Sequence, residues 1–252
     1  MKSHTLKLSL KENFLVALAG LTGVTLYQFT ENLALDFTTA SNVSIIVGIC
    51  PIFTALTSQI FLKEKHLSFN FCLGFCLAFV GVVLVSFNGK INFNLSPKGD
   101  ILALISAICW GFYSLFLTMI NKKGYNTILI TRKIFFYAIL FMIPLMICGV
   151  FAENPKSTAY VELSSILNAE RFSSILNWIL LCFLGIIASG FCFVAWNKAC
   201  NILGTVKIST GLYLIPVITI FFAAIFLNEK ITLMGAIGSA LTIIGLFVSS
   251  KK

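Results

Sequence analysis

The chain has 252 residues, of which 58% are hydrophobic and 11% charged, against roughly 45–50% and 25% in a soluble domain. With 25 phenylalanines and a mean hydropathy of +0.98, it holds more apolar area than one soluble core of this size can hide, so lipid must cover the rest. The formal net charge is +9, but the basic residues are scattered between apolar runs. They form no stripe of the kind nucleic acid needs, so no nucleic-acid partner is expected and the excess reads as a topology signal.

A helix needs about 20 mainly apolar residues to cross about 30 Å of hydrocarbon. Eight runs of that kind occur, over about 14–33, 43–62, 69–88, 101–120, 133–150, 177–196, 205–227 and 233–250. The first follows Lys2, Lys7 and Lys11, as a signal peptide would. It is too long for a leader's apolar core, however, and no small-x-small cleavage site follows, so it reads as a membrane helix. Between the fifth and sixth runs lies a long connection, about 151–176, whose Tyr160, Val161, Leu163, Ile166 and Leu167 predict a short helix on the membrane surface. No run alternates like a barrel strand, and an open sheet would strand its backbone polar groups in lipid. The expected fold class is therefore an all-α integral membrane bundle of about eight transmembrane helices.

Orientation follows from counting Lys and Arg alternately in the connecting segments. With the amino terminus inside, twelve fall inside, among them Lys63, Lys65, Lys122, Lys123, Arg132 and Lys198, against five outside, namely Lys90, Lys98, Lys156, Arg171 and Lys230. Both termini are thus expected in the cytoplasm, with the 151–176 connection external. The eight cysteines lie almost entirely inside apolar runs, without a CxxC, and neither His4 nor His66 has a Cys at ligand spacing. No metal or cofactor is expected, and Cys72 with Cys76, one turn apart, read as small packing residues.

An internal repeat carries the functional argument. Pro51–Lys65 (PIFTALTSQIFLKEK) matches Pro216–Lys230 (PVITIFFAAIFLNEK) at an offset of 165, which pairs Pro51 with Pro216, Phe61 with Phe226, Leu62 with Leu227 and Glu64 with Glu229. The match extends back to Asn32 with Asn197, and forward, after a one-residue shift, to Gly74 with Gly238 and Gly81 with Gly245. The two proline helices are second and seventh in order and so run in opposite directions. Inverted repeats of this kind are typical of secondary transporters.

These residues resemble the drug/metabolite transporter superfamily of the EamA type, whose members carry two five-helix repeats. The shared pattern is a helix with a central proline, a Glu at the tight turn after it and a Gly-rich helix: Pro51, Glu64, Gly74, Gly81 and again Pro216, Glu229, Gly238, Gly245. The resemblance implies a first repeat over residues 1–98, with three helices and without counterparts of the family's first two, and a complete second repeat over 99–252. It also implies that Trp110, Tyr113 and Ser114, on the helix opening the second repeat, border a central cavity.

Other candidates follow from residue type. Pro51 and Pro216 each lack a backbone donor and free a carbonyl four residues earlier, at Val47 and Leu212, so they are candidate helix breaks or hinges. Tyr27, Gln28, Asn42 and Tyr213 add aromatic and hydrogen-bonding groups to a candidate substrate site, beside Ser44, Ser189, Trp196, Ser209 and Thr210. Lys207, about 13 Å along the helix axis from Pro216, is the best intramembrane charge and could attract an anionic group from inside. Glu64 and Glu229 sit at turns beside lysines, where helix-end electrostatics accounts for them. Glu64→Gln should therefore cost expression more than turnover. Glu31 and Asp36 lie at an outer helix end and no carboxylate is central, which predicts weak dependence on the proton gradient; loss of flux on adding a protonophore would contradict it. Gly74, Ala78, Gly81, Gly235, Gly238 and Ser239 permit close helix packing, within the chain or in a homodimer.

The expected function is a secondary transporter, an exporter of small metabolites or drug-like molecules across the plasma membrane by alternating access. Its partners are the bilayer and a small-molecule substrate. GxxxxGK[ST] is absent, so ATP drive within the chain is not expected. The alternative is a shortened, non-transporting membrane scaffold or partner subunit. An enzyme is not expected, because no nucleophile–base pair sits at membrane depth.

Overall fold

The computed structural model describes residues 8–87, 96–150, 173–226 and 232–250. Among them there is no strand, and seven helices are long and apolar enough to cross a membrane. The first, α1 (Leu10–Leu35), starts at Ser9, whose hydroxyl accepts from the Glu12 backbone N–H while the Glu12 carboxylate accepts from Ser9 N–H. That reciprocal box satisfies donors a helix start leaves open. A π-helical stretch, Leu21–Leu26, interrupts α1 midway.

The second expected run is two helices, α2 (Ala40–Val47) and α3 (Cys50–Leu62). The break falls where proline requires it. Pro51 sits in the first turn of α3, where a missing N–H costs nothing. Across the gap, Gly48 N–H donates to Ser44 and Ile49 N–H to Ile46. Lys63, at φ 57°, ends α3 in the left-handed region, which costs a non-glycine residue about 1–2 kcal/mol. Lys63→Gly is thus expected to raise the melting temperature of the purified protein, and a lower melting temperature would contradict the assignment.

Next come α4 (Phe69–Phe87), α5 (Pro97–Asn121), α6 (Thr127–Val150) and α7 (Ile175–Leu203), the last with its own π-helical stretch, Phe183–Phe191. Gly204, at φ 87°, turns the chain into the short α8 (Thr205–Ser209). The run expected over 205–227 is not one helix. A 3-10 turn, Thr210–Tyr213, separates α8 from α9 (Leu214–Phe226), because Pro216 cannot donate to the Leu212 carbonyl. The last helix is α10 (Leu233–Ser250). Expected helix ends otherwise shift by a few residues, most for 177–196, which ends at Leu203, and for 133–150, which starts at Thr127. The surface helix expected within 151–176, and Glu229 with Lys230, lie outside the described residues.

The main core gathers Val16, Ala19, Trp110, Tyr113, Leu117, Ile130 and Ile134 around α5. Against it, the outer surfaces keep Leu73, Phe136, Ile179, Phe191 and Ile244 exposed, as lipid-facing positions are. Cys72 and Cys76 lie on such a surface and are exposed, whereas Cys50, Cys109 and Cys200 are buried. Within this chain the packing reading therefore fails for the first two.

Helices α4 and α10 make the closest crossing. A Cβ placed on Gly81 would lie 2.6 Å from both the Gly238 carbonyl oxygen and Thr242 N, and one on Gly245 would lie 2.6 Å from the Gly74 carbonyl oxygen. The contacts are reciprocal, Gly81 with Gly238 and Gly74 with Gly245, as a twofold axis through the crossing would generate. A second correspondence lies along α1 and α7. Gly20 faces α6, where a Cβ would lie 2.6 Å from the Ile134 carbonyl oxygen, and a π-helical stretch follows it. At the same offset of 165 stands Gly185, inside the π-helical stretch of α7, with nothing within 4 Å.

Candidate functional site

The face of the bundle at which α1 begins, the near face, holds a cavity of about 980 Å³. Turns and helix ends converge there. Thr118 on α5 and Thr205 on α8 share a hydroxyl hydrogen bond of 2.7 Å, and Asn201 Nδ2 donates to Thr127 Oγ1 at 3.2 Å. Phe71, Leu203 and Val206 form apolar wall, and Lys65, His66, Lys122 and Lys207 bring basic groups against one carboxylate, Glu64.

Glu64 is tied on three sides. It accepts from Lys122 Nζ at 2.7 Å and from the Ser58 hydroxyl at 3.0 Å, and pairs with His66 Nε2 at 2.9 Å. The bond from Lys122, then that to His66 and a smaller one from Ser58, hold its carboxyl at about 2 rather than the ordinary 4.5, against a modest upward push from burial. Because the folded value is depressed, this tie between α3 and α5 is fully present above pH 4.5 and is lost as pH falls toward 2. Wild type and Glu64→Gln should thus differ in melting temperature at pH 7 and converge only as the pH falls through about 2; a difference constant with pH would contradict the ion-pair account.

Beyond the cavity the interior closes in two layers. Ser209 on α8 donates to Thr54 on α3 at 3.3 Å, and Thr54 donates to Ser114 on α5 at 3.3 Å. Ser209 adjoins the 3-10 break between α8 and α9, whereas Thr54 lies just over one turn past the break between α2 and α3. Deeper, Trp110 is ringed by Tyr27, Tyr113 and Trp196, with centroids 4.9, 5.2 and 5.5 Å away. Tyr113 OH donates to Asn197 Oδ1, and Asn197 Nδ2 donates to Thr131 Oγ1 at 2.9 Å, so α5, α7 and α6 meet at one fully buried polar point. Cys200 links the layers, since it lines the cavity and packs in the same core as Trp110 and Tyr113.

The expected site residues therefore separate into groups. Tyr27, Trp110 and Tyr113 form one aromatic cluster, Ser114 joins the hydroxyl chain, and Tyr213 lies buried against Phe75, its hydroxyl without a partner among the described residues. Lys207 lines the cavity but is exposed at the near face. Gln28 is half-buried, with its backbone carbonyl accepting from Asn32 Nδ2. Asn42 is buried at the far face, where its Nδ2 donates to Thr38, so the structure does not bring it to the cavity. The backbone of Pro216 lies in the first turn of α9.

Asn197, Thr54, Thr118 and Asn121 were not singled out for the site. Asn197 had a usable signal, because it directly follows the apolar run at about 177–196 on a helix that continues to Leu203, where an amide is costly unless it has partners. Glu31, placed at an outer end, does lie one turn from the end of α1, but its carboxylate turns to accept from Tyr27 OH at 3.1 Å.

With this geometry in view, the comparisons with known proteins are direct. The EamA-like transporter family profile matches residues 2–87 and 97–251. The chain belongs to that family. A relative from Archaeoglobus fulgidus, described as an uncharacterized transporter, is 30% identical over 94% of this chain and 76% of its own length. Another, from Streptantibioticus cattleyicolor and described as a probable terminal-alkyne amino-acid exporter, is 24% identical over 94% of this chain and 73% of its own. A solved crystal structure superposes with a TM-score of 0.73 at 18% identity, over 94% of this chain and 76% of that one, which establishes the shared fold. This EamA-family protein is a multi-pass membrane transporter and not an enzyme.

Proposed function

We propose that this EamA-family chain is a secondary carrier that exports a small metabolite or drug-like molecule across the plasma membrane by alternating access. The observation that carries the reading is the cavity, which is lined from the near face alone and closes on the hydroxyl chain and the Trp110 cluster near where α2–α3 and α8–α9 are broken. Discontinuous helices at a substrate site are the usual device of such carriers. With both termini cytoplasmic, the near face is the inner one and the cavity faces the cytoplasm. Residues 1–98 and 99–252 then act as two inverted units about the α4–α10 crossing, with Pro51 and Pro216 at the hinges. The relative described as an amino-acid exporter supports export of a metabolite-sized solute.

The test is release. The purified protein is reconstituted in liposomes loaded with a metabolite extract, and the external solution is followed by mass spectrometry without ATP. Selective, time-dependent release of particular compounds is expected; release no greater than from protein-free liposomes would contradict the proposal.

A second reading, a scaffold or partner subunit, is favoured by one observation. Along α7, Ile179, Leu184, Ile186 and Phe191 are all exposed and Gly185 is open, whereas its counterpart Gly20 is packed on α6. If that face seats another polypeptide or a second copy, native extraction yields an assembly rather than a monomer, and the isolated chain carries no flux.

A further inference from the structure

Among the described residues, the charges facing the near-face cavity do not balance. Lys65, Lys122, Lys207 and, when protonated, His66 oppose Glu64 alone. Glu64 is bonded to Lys122 and His66, which leaves the Lys65 and Lys207 ammoniums with no carboxylate among the residues lining the cavity. Asn121 adds an amide Nδ2 that is buried, lines the same cavity and has no hydrogen-bond acceptor. A buried donor without an acceptor is destabilising, so the cavity carries a standing preference for an acceptor that the protein does not supply.

We propose that the cavity receives the carboxylate of a small organic anion between Lys122, Lys207 and Asn121, and that the Glu64 carboxylate is a tethered stand-in holding Lys122 while no ligand is bound. The proposal rests on the reading of this cavity as the substrate chamber. Glu64 reaches Lys122 from the turn after α3, so it occupies the place a ligand acid would take. An incoming carboxylate competes for the same ammonium and gains two donors that Glu64 does not use. Phe71, Leu203 and Val206 give the rest of the ligand an apolar wall. The Glu64–Lys122 bond also ties α3 to α5, so displacing Glu64 would loosen the near face as the ligand seats.

The test uses one ring system with three charges, indole-3-acetate, indole-3-acetamide and tryptamine, titrated calorimetrically into the purified protein in neutral detergent. The acid is expected to bind at least tenfold tighter than the amide, with the preference shrinking in high salt. Lys122→Gln and Lys207→Gln should each remove most of that preference. Glu64→Gln should tighten the acid several-fold and leave the amide unchanged, a gain that a merely structural ion pair does not give. Equal binding of acid and amide, tightest binding of tryptamine, no binding of the acid, or weaker acid binding in Glu64→Gln would each overturn the proposal. So would displacement of the acid by phosphatidylglycerol at equal concentration, which would assign the basic groups to lipid headgroups. Binding as expected with no flux in liposomes would remove the carrier reading and leave the site standing.

Discussion

Gly81→Leu is expected to prevent recovery of folded protein. The new side chain would start 2.6 Å from the Gly238 carbonyl oxygen and Thr242 N, and both are backbone atoms of α10 that no rotamer change can move aside. Overpacking a tight core costs about 1–3 kcal/mol even where side chains can shift; here two helices must separate. Without a hydrophobic drive between helices in lipid, close van der Waals packing of this kind holds the pair together. The control is Gly185→Leu, where nothing lies within 4 Å, and whose cost should stay within about 0.5 kcal/mol. Size-exclusion profiles and melting curves in detergent read both. A monodisperse Gly81→Leu protein melting near wild type would show that the α4–α10 crossing is not as drawn.

Asn197→Leu is the second large effect. Its amide accepts from Tyr113 OH and donates to Thr131 Oγ1, with all three side chains buried. Interhelical hydrogen bonds in membranes average only about 0.6 kcal/mol, but this substitution leaves the buried Tyr113 hydroxyl without its acceptor, whereas Thr131 keeps its bond to the Thr127 carbonyl, and an orphaned buried group costs about 1–3 kcal/mol. The net loss should therefore be about 2 kcal/mol. Adding Tyr113→Phe removes that orphan, so the double variant should melt above Asn197→Leu alone. If the double variant melts lower still, the two residues act independently and the polar junction of α5, α6 and α7 is wrong.

Much of this architecture is legible in the sequence. The apolar runs marked the helices because lipid demands about 20 residues of them, and the repeat joined Pro51 to Pro216 and Gly81 to Gly245. Periodicity could not show that Pro51 and Pro216 begin helices rather than kink them. That depends on how neighbouring backbone groups are satisfied, as Gly48 and Ile49 are across the first break. The site was legible in its aromatic half, since Trp110, Tyr113 and Tyr27 are conspicuous residue types and do meet. Its hydroxyl half was not, because Thr54 and Thr118 look like many membrane threonines that bond their own helix, and only tertiary contact with Ser209 and Thr205 distinguishes them. Asn42 misled for the opposite reason: its polarity serves a bond to Thr38 at the far face.

The central claim is that one cavity opens alternately to the two sides of the membrane. Thr118 lines it from the near face, so the most direct measurement is the reaction of Thr118→Cys, in a background without other cysteines and in sealed, uniformly oriented proteoliposomes, with a membrane-impermeant maleimide applied to each side in turn. The account predicts fast labelling from the near face and slower, measurable labelling from the far face, accelerated by a transported solute. Labelling from the near face alone, unchanged by any released solute, would contradict it.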